Sequence, residues 1–444
     1  MNKQLVWKLL ALAVLALVLE FALGQIQGKV RERQNTRDLA VKEIASQYAT
    51  EQQLRGPLLW VQCQESRKES YTTANGKTEW RDAIRDCSKV LRPTRLAAQG
   101  QIEVTERYRG IYQARVYLAS LRMRAEFAAS PLQAGQTSEG AKLVLGVKDP
   151  RGIKRIHLKE QSGTSLAPQP GVPQNTFDAG IHLPLNATRL SQELVLDLEL
   201  ELAGTGRFEL VPFGSENEFN LRSNWPHPSF VGQYLPEART VEPTGFAARW
   251  RVNDFATGGD RLLTARSHPD SLGVSLIDPV DAYTQSDRAV RYGFLFVLLT
   301  LGGFLLFELL QDQPMHPLQH LLVGFAVVLF FLLLLAISEH LPFAQAYLIA
   351  ASACVSLLGT YGRTLLGSWR AAGLLAASYG LLYLCLFQLL ASEDYALLLG
   401  ACLIFAVLAL TMYLTRRLKW QMPPASKSAA HGENSAADPG AESR

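Results

Sequence analysis

Five cysteines in 444 residues are too few to build a disulfide-framed scaffold, and no Cys-x-x-Cys occurs. Enzyme signatures are missing too: there is no Gly-x-Ser-x-Gly elbow, no P-loop and no His-Glu-x-x-His. These absences exclude the familiar hydrolase, nucleotide-binding and zinc-protease layouts. A net charge of +4 from 44 basic and 40 acidic residues leaves no electrostatic footprint for nucleic acid. Charge is scarcest in the last third of the chain, where a mean hydropathy of +0.05 hides a strongly apolar segment behind a polar majority.

Five hydrophobic runs follow in quick succession there, at 292–310, 320–337, 343–361, 371–390 and 396–414. Each approaches the ~20 residues that a helix needs to cross a bilayer core. A soluble core has no use for five such helices in a row, so the sequence specifies an integral membrane protein. A further run at 5–23 could be a signal peptide or an anchor. Its length, the Glu20 at its end and a cleavage site, Ala22-Leu23-Gly24, that is only passable favour an uncleaved anchor. Six spans then place both termini on one side.

Loop charge says which side. Arg363 and Arg370 lie in the connection 361–370, and Arg416, Arg417 and Lys419 follow the last span. The loops 338–342 and 392–395 hold no Lys or Arg, so the positive-inside rule expects both termini in the cytoplasm. One local signal disagrees, because Lys29, Arg31, Arg33 and Arg37 after the first span outnumber Lys3 and Lys8 before it. Long translocated domains largely escape the rule. The expected division is an anchor at 1–24, a periplasmic domain at 25–290, a bundle at 291–415 and a disordered cytoplasmic tail at 416–444.

Residues 26–48 continue at helical spacing, and beyond Gly56-Pro57 the period becomes two. In 192–202 the leucines 194, 196, 198, 200 and 202 alternate with mostly acidic neighbours, as in a half-buried antiparallel strand. Further strands are expected at 58–62, 111–127, 142–147, 153–158, 208–211, 218–221 and 246–252. Gly and Pro turns separate them, which suggests a mainly β, sandwich-like domain.

Several strings are familiar. Gly204-Thr205-Gly206 with Leu210-Val211-Pro212, then Ser223-Asn224-Trp225-Pro226-His227-Pro228-Ser229-Phe230, Gly245-Phe246 and Trp250 resemble the CreD family of bacterial inner-membrane proteins. Asp287-Arg288-Ala289, His316-Pro317, the stretch 321–324 and the stretch 332–340 resemble it as well. The resemblance covers most of the chain but little of 60–100 or the tail. It implies a cell-envelope integrity protein, often under an envelope-responsive two-component system and associated with colicin tolerance and β-lactam responses. It implies no catalytic residues.

The residues that could carry chemistry each have a plainer reading. Cys63 and Cys87 are alone in the exported domain, where an oxidising compartment permits a bond worth about 3 kcal/mol in the entropic picture; the alternative is two unrelated buried thiols. Cys354, Cys385 and Cys402 read as packing residues of the spans. His316 and His320, expected at the interface, would share a face suited to a metal if both were helical, but Pro317 between them marks a loop and a helix start, and no Cys or acidic run completes a ligand set. Glu308 could mark an ion or proton path, but near the end of its span it is expected in an interfacial or helix-packing role within reach of headgroup water, and Glu339 and His340 are expected at the outer interface. His227 and Ser229 have no acid beside them, and Glu199 with Glu201 suit a solvated sheet face. Trp225, Phe230, Tyr234, Phe246 and Trp250 could line a ligand groove or pack a core.

The reading is therefore a six-span protein with one N-terminal and five C-terminal transmembrane helices and a large periplasmic β domain. It is expected to bind or scaffold without catalysis, metal or cofactor. Its expected partners are the lipid bilayer and an envelope protein or cell-wall component, with no nucleic acid. Ser223–Phe230 is read as a structural or partner-facing loop. The rival is a transporter or membrane enzyme acting on an envelope lipid or glycan component, which would need a polar cavity across the bundle.

Overall fold

The computed structural model describes residues 3–72, 76–129, 136–160, 165–174, 176–186, 190–264, 269–276, 281–311, 315–392 and 395–416. The C-terminal stretch from 417, with its expected disorder, and the acids of the 392–395 loop lie outside the described residues. By packing, the chain divides into two compact units, Met1–Arg31 with Ala282–Arg444, and Glu32–Asp281. These limits differ by a few residues from those at 24 and 290 expected from hydropathy, because α1 (Lys3–Tyr48) is one unbroken helix of 46 residues. The apolar run 5–23 and the amphipathic stretch 26–48 are a single element, and nothing in its backbone marks where lipid ends.

The second unit is built from strands. They are β1 (Gln52–Thr72), β2 (Thr78–Leu91), β3 (Arg95–Arg109), β4 (Tyr112–Phe127), β5 (Gln136–Val147), β6 (Ile153–Glu160), β7 (Ser165–Leu166) and β8 (Gln169–Pro170). After them come β9 (Gly180–Leu185), β10 (Leu194–Thr205), β11 (Arg207–Leu210), β12 (Glu216–Ser223), β13 (Pro228–Gly232), β14 (Ala238–Glu242) and β15 (Gly245–Asn253). Two helical turns, α2 (Asp254–Thr257) and α3 (Arg261–Thr264), precede β16 (Leu272–Leu276).

One sheet runs β13-β16-β11-β1-β5-β9-β8 with β2 paired to β1, and the other runs β14-β15-β12-β3-β4-β10-β6-β7. Their inner faces share one core, in which Leu143 and Phe208 of the first sheet meet Leu121, Phe219 and Trp250 of the second. This is the expected sandwich.

Local sequence explains the inner faces. Along β10 the leucines 194, 196, 198, 200 and 202 are buried, and Asp197 and Glu199 between them are exposed. β3 follows the same rule with Leu96, Ala98, Gly100, Ile102 and Val104 turned inward. Gly100 leaves room there for two leucines, since a Cβ would stand 2.7 Å from Leu121 Cδ2 and 2.7 Å from Leu221 Cδ2 and both would have to shift. The distal half of the β1–β2 ribbon is exposed on both faces. Asp149 is held by Arg151, with 2.7 Å between Nη2 and Oδ2, and by the Thr50 amide at 3.0 Å. The guanidinium keeps its carboxyl well below the usual aspartate range.

The first unit contains α4 (Ala282–Arg291), α5 (Gly293–Gln311), α6 (Pro317–Ser338), α7 (Phe343–Leu366), α8 (Trp369–Ala391) and α9 (Ala396–Thr415). Five helices, α1 and α6 to α9, are each long and apolar enough to cross a membrane. The pair α4 and α5, bent by 47°, gives a sixth when it is counted as one span. Aromatic rings fill the bundle centre: Phe330 meets Tyr383 at 4.7 Å and Tyr347 at 5.4 Å, and Phe296 meets Tyr383 at 5.0 Å. The hydroxyls of Tyr347 and Tyr379 donate to the carbonyls of Tyr383 and Thr300, at 2.6 and 3.1 Å, so these polar tips are satisfied without water. α1 packs closely on α6 because Gly324 has no side chain, a Cβ there falling 2.2 Å from Leu19 Cδ1.

Candidate functional site

The outer face of the second sheet is polar across six strands, and the strand registers order it into rungs. One rung carries Arg249, Asn220, Gln99, Arg122, Glu199 and His157, each opposite the next. The adjacent rung carries Arg222, Gln101, Ser120, Glu201 and Arg155. Alternation sends each of these outward because its neighbours in sequence, such as Leu221, Leu121 and Leu200, point into the core. Twist curls the sheet, and the rungs line an open concavity of about 1080 Å³.

Its charge is unevenly compensated. Arg122 lies 3.8 Å from Glu199 and Arg155 lies 3.3 Å from Glu201, both well-exposed pairs of small energetic weight. Arg222 and Arg249 have no carboxylate or side-chain hydrogen-bond partner among the described residues. Between the two basic zones run the amides of Gln99, Gln101 and Asn220. Guanidinium groups grip carboxylate or phosphate with two parallel bonds, and amides serve hydroxyl or amide groups of either sense. The surface is thus equipped to hold a polar, negatively charged ligand. Sequence reasoning placed Glu199 and Glu201 on a solvated face and missed the arginines, which lie on strands far apart in sequence.

The Ser223–Phe230 string carries the chain from β12 in one sheet to β13 in the other. Asn224 clamps Val104, accepting from its amide at 2.8 Å and donating to its carbonyl at 3.2 Å. Trp225 Nε1 donates to the His227 carbonyl at 3.0 Å, and the ring is half-buried against the core beneath the Arg115 guanidinium at 4.7 Å. Phe230 meets Phe246 and Trp250 edge-on, each at 5.8 Å. Ser223 Oγ accepts from the Trp225 amide at 3.2 Å, Pro226, Pro228 and Ser229 are partly exposed, and His227 is exposed. Trp225, Phe230, Tyr234, Phe246 and Trp250 therefore pack in or against the core.

Cys63 and Cys87 stand opposite each other in the β1–β2 ladder, 4.9 Å apart at Cα, and are joined by a disulfide. In the bundle, Glu308, His316 and His320 come together at one end with a partner that sequence did not suggest. Glu308 is buried, accepts from the Met315 amide at 3.1 Å and forms an ion pair with Lys8 of α1. Expected at the interface or in helix packing, Glu308 is packed between helices, with Lys8 against it and only 9 % of its side chain exposed. His320, likewise expected at the interface, is 1 % exposed, with Nε2 at 3.8 Å from Glu308 Oε2. His316 caps α6, its Nδ1 accepting from Leu318 while its own amide donates to Gln319. Glu339 caps the other end of α6 and accepts from the Tyr283 hydroxyl at 3.3 Å, and His340 is exposed. No cluster of three metal-ligating side chains occurs among the described residues.

Five or six membrane-spanning helices joined to a β sandwich in one chain define a multi-pass integral membrane protein with a large extramembrane domain. The family model described as "Inner membrane protein CreD" matches residues 4–421. The chain is 34% identical over 430 residues to inner membrane protein CreD of Escherichia coli (strain K12), covering 95% of this chain and 94% of that protein. It belongs to the CreD family of inner-membrane proteins. A structural likeness to an M1 zinc metallopeptidase from Deinococcus radiodurans, at 10% identity over 42% of each chain and a TM-score of 0.20, is too slight to bear on fold or chemistry.

Proposed function

We propose that this protein supports cell-envelope integrity from the inner membrane without catalysis, by binding or scaffolding through its β domain on the periplasmic side. The observation that carries the reading is the open, arginine-bearing concavity on the outer sheet face. It offers a broad surface for a partner but no enclosed pocket. Colicin tolerance and the β-lactam response, implied by family resemblance, belong to this proposal.

Orientation rests on charge. Arg363 stacks on Trp369 at 3.8 Å and Arg416 on Tyr413 at 4.0 Å, and both pairs flank spans on the side that carries the N-terminus. By the positive-inside rule, cations at these ends favour a cytoplasmic interface, which supports the reading of the β domain as periplasmic. The transporter or enzyme rival would gain from ionisable groups at mid-membrane. Glu308 and His320 instead lie within the terminal turns of α5 and α6, and Lys8 within the first two turns of α1.

A deletion strain should become more sensitive to detergents, β-lactams or colicin-like toxins while growing normally in rich medium. The wild-type gene should restore it, and a form with Arg222 and Arg249 both changed to Glu should accumulate yet fail to. A nutrient auxotrophy with no envelope phenotype would favour the transporter.

A further inference from the structure

The two arginines without acidic partners sit on adjacent strands. Arg249 is opposite Asn220, and Arg222 is opposite Ala247, so the guanidinium-bearing residues form a diagonal pair. Such positions are about 7–8 Å apart, close enough for one ligand to span both. Along their own rungs the next residues are uncharged: Arg249 is followed by Asn220 and Gln99, and Arg222 by Gln101 and Ser120. Carboxylates stand on the flanking rungs, Glu218 diagonal to Arg249 and Glu103 diagonal to Arg222, but neither forms an ion pair with them among the described residues. Those on β10 are already paired with Arg122 and Arg155.

The lining also says what the ligand is not. Protein interfaces concentrate their binding energy in aromatic and large apolar anchors at a dehydrated centre. Here the aromatic residues are turned to the opposite side of the sheet, where Phe219, Phe246 and Trp250 fill the core. The exposed centre is a lane of amides, Gln99, Gln101 and Asn220, which match the hydroxyl and acetamido groups of sugars in both donor and acceptor sense. A dense polyanion fits poorly, because Glu199 and Glu201 stand in the same two rungs.

On these grounds we infer that the concave sheet face binds an extended glycan carrying spaced carboxylates, with Arg222 and Arg249 each taking a carboxylate and the amide lane holding the sugars between. This rests on the reading of the β domain as the binding part of the protein and selects a cell-wall type of component over an envelope protein. Bidentate guanidinium–carboxylate bonds give the charge selectivity. The exposed setting makes the binding sensitive to salt.

The test uses the full-length protein in nanodiscs, titrated with oligogalacturonate, a neutral malto-oligosaccharide of equal length, and polyglutamate. Oligogalacturonate should bind, with affinity falling as salt rises, and the neutral sugar should bind at least about tenfold more weakly. R222Q/R249Q should lose at least about tenfold in affinity for oligogalacturonate. Neither arginine has a side-chain partner to forfeit, so the variant should keep its fold, checked by its thermal transition and intact Cys63–Cys87 bond.

Arg81 supplies the control. It is an exposed residue of β2 in the other sheet, over the Tyr71 ring at 5.7 Å, and does not line the concavity. R81Q should bind oligogalacturonate like the wild type. Equal binding of neutral and acidic sugars, or undiminished binding by R222Q/R249Q, overturns the assignment. Tighter binding of polyglutamate through the same two arginines overturns it in favour of an acidic protein. Failure of the ligand and failure of the broader reading separate cleanly. If R222Q/R249Q cannot restore a deletion strain and wild type ignores oligogalacturonate, only the glycan assignment falls. If R222Q/R249Q loses the glycan yet restores the strain fully, the glycan assignment stands and the face is not what protects the envelope.

Discussion

Removing either partner of the Lys8–Glu308 pair should destabilise the bundle far more than removing both. The pair joins the first span to α5, with side-chain exposures of 19 % and 9 %, and Glu308 also accepts from the Met315 amide. A lone charge left in such a place costs about 3–5 kcal/mol, while a pair replaced by apolar groups of similar size is close to neutral. Lys8 keeps partial access to water and can relax outward, so the lower end, about 3 kcal/mol, is expected for Lys8→Met and for Glu308→Leu. The double variant should recover most of that loss, giving a coupling of about 2 kcal/mol or more. Unfolding of the purified protein in one detergent, followed through the bundle tyrosines for the four forms of the cycle, measures it. Losses that simply add in the double variant would refute the argument. They would mean that the two side chains do not share a buried environment.

Reporter fusions after residues 24, 341 and 393 should report the periplasm, and those after 314, 366 and 420 the cytoplasm; a cytoplasmic fusion at 341 would overturn the six-span topology. Mass mapping without reductant should recover a peptide joining Cys63 to Cys87, and Cys63→Ala should cost roughly 2–4 kcal/mol of domain stability, with free alkylation of both native thiols as the contrary result. Trp225→Ala removes a half-buried ring, with its Arg115 contact and its hydrogen bond to the loop, and should lower accumulation. The exposed His227 should be replaceable by Ala without loss of stability or protection, and a stable but inactive His227→Ala would bring a chemical role back. Asp149→Asn should destabilise the domain near neutral pH, where the wild-type carboxylate is ionised and bonded to Arg151. Because the folded state holds this pKa low, its contribution is present above the ordinary aspartate range and is lost as pH falls through the depressed value. Urea titrations of both forms should therefore converge in strong acid.

Hydropathy alone determined that this chain crosses a membrane, because a run of about twenty apolar residues has one physical destination whatever surrounds it. Period-two alternation likewise determined that the middle of the chain is a half-buried sheet, and β10 shows it most plainly. Strands such as β2, polar on both faces, carry no such signal, and β3 hid its inward face behind Ala98 and Gly100. Lys8 and Glu308 are 300 positions apart, and each by itself looks like an ordinary charge near a span end. Only helix packing made them a buried pair. The arginine face was decided in the same way, since β12 and β15 are adjacent in the sheet but Arg122 and Arg155 come from β4 and β6. Periodicity is local and survives in the sequence, whereas the meeting of distant side chains depends on register and packing that no single segment encodes.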